Sequence, residues 1–312
     1  MGYPRLIPPR TCAMPILNRV LSWWHHRRIH TVSWDGCDRS YYLHVPAHLD
    51  PSAPAPLLLA LHGATMNGPL MAWVTGLSRW ADQASYVVAY PQGTGPGSAL
   101  FWNAGRCCGS ARADNVDDVG FLEVVIADLV GSRAIDRSRV YVAGWSNGAM
   151  MAYRFAAERA DHVAAFAAIG GTLAIDDPRP TRSVPLLYIH GTEDEFVPYD
   201  GGQGLRSISG VNHRSVKETI ETWVRVNGCP SEPKRDVKAD QAGDGTTIVR
   251  ETYGEEGSPA EVTLLTIEGG GHAWPGRPSP PGLGRSSRNL DANQALGSFF
   301  ARHRLANDRD AK

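Results

Sequence analysis

Residues 139–154, RVYVAGWSNGAMMAYR, constrain this chain more than any other stretch. Val140, Tyr141 and Val142 are β-branched or aromatic and read as a buried strand, whereas the residues from Asn147 onward are helix formers. Between them lies Gly144-Trp145-Ser146-Asn147-Gly148, a G-x-S-x-G turn. In a strand–turn–helix with this spacing the serine takes a strained conformation, and the glycines keep side chains out of the crossing of strand and helix. Its hydroxyl then stands clear of the sheet beside the free N–H groups of a helix N-terminus, where developing negative charge is stabilised. A Gly-rich turn whose serine only caps a helix would carry the same five letters, so an acid and a histidine further along must decide.

The remaining chain supplies a setting for such a turn. Continuous apolar runs at 57–62 (LLLALH), 86–90 (YVVAY), 164–169 and 185–189 (PLLYI) read as central parallel strands covered on both faces. Helical patterns fall at 70–84, 121–130, 215–226 and 291–303. Further strands are expected at 29–34 and 39–45, turned by Asp35-Gly36, and at 246–252 and 261–267. Strands alternating with helices predict an α/β fold: a mostly parallel, doubly wound central sheet in a single domain over 30–304. Residues 1–29, with four prolines, read as an N-terminal appendage, and 305–312 as a tail. The 91–119 stretch is long for a loop, and Trp102, Asn103 and the pair Cys107-Cys108 argue that it is ordered.

Composition excludes several classes. A 312-residue chain with 42% hydrophobic and 20% charged residues is neither disordered nor membrane-embedded, and a net charge of −1 gives no footing for nucleic acid. No run approaches the roughly 18 apolar residues of a membrane span. The N-terminus carries no clean signal peptide: its apolar stretch at 12–24 is broken by Pro15, Asn18, Arg19 and Ser22. No cysteine spacing is a zinc pattern, and no metal site is expected. Among Cys12, Cys37, Cys107, Cys108 and Cys229, one of the vicinal pair is expected to form a structural disulfide with Cys37 or Cys229.

Beyond the strand at 185–189 comes HGTEDEFVPYDGG, offering Glu193, Asp194, Glu195 and Asp200. Beyond the strand at 261–267 comes Gly269-Gly270-Gly271-His272-Ala273-Trp274. The order serine, acid, histidine, each at a strand end, is that of a nucleophile, an orienting carboxylate and a general base. Ser146 and His272 are thus the expected catalytic pair. The 57–62 strand ends in Gly63-Ala64-Thr65, where a second oxyanion donor would sit; Ala64 N–H is expected there, Thr65 being the alternative, with Asn147 N–H as the first donor.

Together, GWSNGAMMAYRFA, FWNAGRCCG, DDVGF, HGTEDEFVPYDGG and IEGGGHAWPG resemble the polyhydroxybutyrate depolymerase and feruloyl esterase group of α/β-hydrolases, a lineage that includes acetyl xylan esterases. The likeness runs over about 30–304. It implies an α/β-hydrolase fold, a serine carboxylic ester hydrolase working through an acyl-enzyme, and Asp194, four residues after His190, as the acid beside Ser146 and His272. It implies no cofactor, and as partner a small or polymeric ester with short-acyl, hydroxyalkanoate or feruloyl groups. Thr65, Trp102, Trp145 and Trp274 are candidates for substrate contact, and a monomer is expected. Members are commonly secreted. A serine peptidase or acyltransferase on the same fold is the rival reading, and a non-catalytic binding protein is a third.

Overall fold

Every side chain of Ala55–Leu61 (APLLLAL) is buried, as a strand covered on both faces requires. The computed structural model describes residues 29–207 and 209–306, and the strand just named is the third of ten. In chain order the strands are β1 (Ile29–Trp34), β2 (Cys37–His44), β3 (Ala55–Leu61), β4 (Val87–Pro91), β5 (Ile135–Trp145), β6 (Ala165–Ile169), β7 (Leu186–Gly191), β8 (Lys234–Lys238), β9 (Thr247–Tyr253) and β10 (Val262–Glu268). The helices are α1 (Gly68–Thr75), α2 (Leu77–Ala84), α3 (Gly109–Ala113), α4 (Asp118–Ser132), α5 (Asn147–Glu158), α6 (Val216–Asn227) and α7 (Ala292–Phe300).

The strands form one sheet in the order β1-β2-β4-β3-β5-β6-β7-β10-β9-β8. The six from β4 to β10 are parallel, and both flanks are antiparallel. Residues of α4, α5 and α6 (Phe121, Met151, Trp223) bury one face, and those of α1, α2 and α7 (Met71, Trp80, Phe299) the other. This is the doubly wound single domain expected, an α/β-hydrolase fold. The chain lays β4 on one side of β3 and β5 on the other, so the direction of winding reverses there, and ligands bind beyond the strand ends at such a reversal. In register, Leu61 of β3 lies beside Gly144 of β5, and Gly191 of β7 beside Ile267 of β10. The loops carrying Ala64 and Ser146 are therefore neighbours, and so are those carrying Asp194 and His272.

Three local expectations change. The helix expected over 70–84 is two, because Gly76 adopts φ 64° and ends α1 with its N–H on the Ala72 carbonyl. The edge strand β8, KRDVK, was not foreseen: it is exposed at all five positions and so lacks any alternation. The 91–119 stretch is ordered as expected but contains α3, and isolated bridges join Thr94 to Phe101 and Met66 to Leu100. The appendage and Cys12 lie outside the described residues, apart from Ile29, which begins β1. Of the expected tail, residues 305 and 306 are described, and the Leu305 N–H bonds the Ser138 carbonyl.

Candidate active site

The elbow is built by exclusion. Ser146 sits at φ 58° and ψ −120°, a region that L-residues avoid, between β5 and the first turn of α5. A Cβ on Gly148 would overlap the Leu61 carbonyl oxygen and come within 2.6 Å of that of His62, so the helix can cross the end of β3 only without a side chain there. Gly144 faces the Gly148 backbone in the same way. The serine N–H donates to the Ile169 carbonyl at 2.8 Å and ties the turn to β6.

The Gly170–Gly171 turn after β6 lies between the serine and the other two side chains. A Cβ on Gly171 would overlap the Ser146 carbonyl oxygen; one on Gly170 would lie 3.3 Å from His272 Nδ1 and 3.6 Å from Asp194 Oδ2. His272 Nδ1 and Asp194 Oδ2 are 2.7 Å apart. The second oxygen of Asp194 accepts the N–H groups of Phe196 (2.9 Å) and Val197 (2.8 Å). Burial pushes this carboxyl upward, but the charge and hydrogen bond of His272, the nearby His190 and the Val197 N–H outweigh it and hold it below its ordinary range. An ionised Asp194 places the imidazole proton on Nδ1 and leaves Nε2 as an acceptor. Glu193, Glu195 and Asp200 are exposed. Sequence order alone could not single out Asp194; burial and the two backbone donors do.

The His272 ring stacks on Phe196 (centroids 5.0 Å) and on Trp145 (5.8 Å). Sequence reasoning missed Phe196, though its place two residues after the acid was visible. It also missed His190, whose Nε2 meets the Val197 carbonyl at 2.8 Å and so braces the turn that holds Asp194. The three glycines before His272 serve packing on their other side: a Cβ on Gly271 would meet Gly284 and Leu283, and one on Gly270 would meet Ile267.

The Ala64 N–H has no partner among the described residues. Asn147 is the first residue of α5, whose N–H has no carbonyl to meet within the helix. The Thr65 N–H is committed to the Leu100 carbonyl at 2.8 Å, which removes the alternative donor; the residue itself is exposed. Behind Ala64, His62 Nδ1 lies 2.8 Å from the Gly63 carbonyl and its Nε2 accepts the Gly93 N–H at 3.0 Å.

The tryptophans expected to contact substrate are buried instead. Trp102, Trp145 and Trp274 are 0, 2 and 2% exposed, and the indole N–H groups of the first and last are taken by the His62 carbonyl and Asn293 Oδ1, both at 2.9 Å. The disulfide expectation is corrected as well: Cys107 and Cys108 are bridged to each other within the buried loop, so neither sulfur reaches Cys37 or Cys229. A cleft of about 880 Å³ opens beside Asp194 and Phe196, between 192–206 and 279–284, with Gln203, Arg206, Pro280 and Leu283 in its walls. Among the described residues no cluster of three His, Cys, Asp or Glu could hold a metal, and no helix is long and apolar enough to cross a membrane.

The family described as phospholipase/carboxylesterase matches residues 119–221, the segment from α4 through the elbow and acid loop into α6. Over 282 residues the chain is 34% identical to NocK of Nocardia uniformis subsp. tsuyamanensis, a protein named as an esterase, covering 85% of this chain and 80% of that one. It is 30% identical over 244 residues to feruloyl esterase B of Piromyces equi, covering 75% of this chain and 42% of that longer protein. The acetyl xylan esterase of Aspergillus awamori superposes with a TM-score of 0.60 at 19% identity, covering 88% of this chain and 99% of that one, a likeness of fold.

Proposed function

The chain belongs to the esterase and feruloyl esterase family of α/β-hydrolases and is a carboxylic ester hydrolase; from that premise we propose that it works through an acyl-enzyme on Ser146. His272 Nε2 takes the hydroxyl proton as Ser146 Oγ attacks the ester carbonyl. The N–H groups of Ala64 and Asn147 hold the oxyanion, and Asp194 keeps the imidazole in the right tautomer and stabilises its cation. His272 returns the proton to the leaving alcohol, and a water activated by the same imidazole releases the acid. The observation that carries this reading is the 2.7 Å pairing of His272 Nδ1 with buried Asp194, set across the Gly170–Gly171 turn from a serine at φ 58°.

The substrate assigned is a short-acyl, hydroxyalkanoate or hydroxycinnamoyl ester. The cleft beside the acid loop reaches the site through Asp194 and not through Ser146 or His272; a substrate that extends from the serine into it would meet Thr192, Gln203 and Arg206 as well as prolines and leucines, which suits a compact, partly polar group. A C16 chain would gain little of the roughly 0.8 kcal/mol per buried methylene that a closed apolar tunnel supplies. Specificity constants on a series of nitrophenyl esters, methyl ferulate, acetylated xylan and hydroxybutyrate oligomers should therefore fall from butyrate to palmitate. A steady rise to palmitate would overturn the substrate assignment. Asp194→Asn should lower kcat by about 10⁴-fold while Asp200→Asn leaves it within about twofold; the reverse would overturn the choice of acid.

A further inference from the structure

Trp102, expected to contact substrate, is fully buried, and its side chain and backbone both reach parts of the site that are distant in sequence. Its indole N–H donates to the His62 carbonyl (2.9 Å), and its ring lies against that of His62 (centroids 4.8 Å). Its backbone N–H donates to Asn147 Oδ1 (2.8 Å), and its carbonyl accepts from Asn147 Nδ2 (3.1 Å). One residue thus holds both the segment leading to Ala64 and the side chain of the residue after the nucleophile.

We infer that Trp102 is the positioning residue of the oxyanion hole, a strut that sets the separation of the Ala64 and Asn147 N–H groups. The inference rests on the reading that these two groups receive the oxyanion. The Ala64 N–H lies in the same rigid peptide plane as the Gly63 carbonyl, and that carbonyl is held by the His62 ring (2.8 Å) and by the Met66 N–H (3.1 Å). Fixing His62 therefore fixes the direction of the first donor, and Trp102 holds His62 by its carbonyl and its ring face. On the other side the Asn147 carboxamide pairs with both backbone groups of Trp102, which anchors the first turn of α5 and so the second donor. The strut is itself braced from behind. The next residue, Asn103, donates its N–H to Asp118 Oδ2 (2.7 Å) and gives its carbonyl to Arg154 (2.7 Å), and Asp118 pairs with buried Arg39 (2.7 Å). Any buried residue must pair its backbone groups; what is particular to Trp102 is that its backbone pairs with the Asn147 side chain while its indole N–H takes the His62 carbonyl.

The test compares Trp102→Phe, which keeps an aromatic ring but removes the indole N–H, with Asn147→Ala, which keeps the backbone donor but frees Trp102. Deleting a whole oxyanion donor costs about 10² to 10³ in kcat. A displaced donor should cost less: about tenfold in kcat for Trp102→Phe and up to about 100-fold for Asn147→Ala, with KM within about twofold. The affinity of an alkyl boronic acid, whose tetrahedral adduct occupies the hole, should weaken in the same proportion, and the preference for an oxoester over the matching thionoester should shrink. Variants that lose thermal stability while kcat, boronate affinity and thionoester preference stay at wild-type values would reduce Trp102 to packing and overturn the inference. If the wild-type enzyme itself hydrolysed the thionoester as readily as the oxoester, the oxyanion-hole reading would fail and take the strut with it. Discrimination intact in the wild type and unchanged in both variants would sink the strut alone.

Discussion

The elbow at Gly144–Gly148 and the loop between β4 and α4 meet where Asn147 grips Trp102, and they are held in place by opposite means. The elbow is five residues long and is fixed by what is missing: Gly144 and Gly148 leave no Cβ, so backbone of β5, α5 and β3 touches directly and no other path fits. The loop is fixed by what is present, a chain of buried polar bonds from Arg39 and Asp118 through Asn103 and Trp102 to Asn147 and His62. Close backbone packing tolerates no added atom, whereas a polar network tolerates none left unpaired. The elbow can therefore store the strain that exposes a nucleophile, and the loop can transmit position between parts of the site far apart in sequence.

The largest effects should come from the elbow itself. Ser146→Ala should lower turnover by about 10⁵-fold or more and abolish fluorophosphonate labelling in a folded protein. Ser146→Gly should lose the same activity yet raise stability by about 1 kcal/mol, because glycine adopts φ 58° without the strain a side chain incurs. Urea unfolding compares the two variants; equal stabilities would mean that the turn stores no strain at Ser146. Gly148→Ala extends the contrast to backbone packing. The helix propensity gained is about 1 kcal/mol, but the new Cβ meets the carbonyls of Leu61 and His62, which belong to or adjoin a central strand and cannot move aside. A net loss of about 4 kcal/mol, or failure to fold, is expected from soluble yield and urea midpoints.

In the loop the corresponding break is Asp118→Asn. It strands the buried Arg39 guanidinium and should cost about 4 kcal/mol, while the double variant Arg39→Met, Asp118→Asn should recover more than half of that. No such recovery by a second substitution exists for Gly148→Ala, because an overlap with backbone has no partner to remove. A double variant as unstable as the single one would erase the distinction drawn between the regions.

This difference also decided what was legible in the sequence. Exclusion leaves local marks, so the elbow, its strand and its helix could be read from 139–154; order then marked the loops after the strands at 185–189 and 261–267, and the family resemblance singled out Asp194. A polar network leaves no local mark. Trp102 and His62 are 40 residues apart and Trp102 and Asn147 are 45, and nothing near Trp102 says that its indole N–H will be used inside. Trp145 and Trp274 escaped in the same way, through a stack on His272 and a bond to Asn293. The vicinal cysteines were read as seeking a distant partner, although each had the other. β8 went unseen because an exposed edge strand has no buried face to impose a period.

A graded effect separates the two regions by pH, through His62, which stands between them. Its Nε2 accepts the Gly93 N–H, so a proton there would break a bond as well as charge a fully buried ring. Burial lowers its pKa, the bond to the Gly63 carbonyl opposes this and the Arg39 charge adds to it; the result is pushed down to about 4. The unfolded chain takes up a proton on this residue near pH 6.5, whereas the folded chain does so only near pH 4. The stabilisation is therefore complete above about pH 6.5 and is lost progressively as pH falls toward 4, by about 3 kcal/mol at most for a shift of this size. His62→Asn places an amide N–H near the position of Nδ1 but cannot titrate, so between pH 6.5 and 4 its stability should fall less steeply than that of the wild type. His190 and His213 also have lowered values, but they remain in both proteins, and the difference in slope isolates His62. Unfolding free energies from urea titrations at pH 7, 5.5 and 4.5 measure that difference. Parallel slopes would mean that the ring takes its proton in the folded protein at no extra cost. The contact between loop and elbow would then be looser than these hydrogen bonds require.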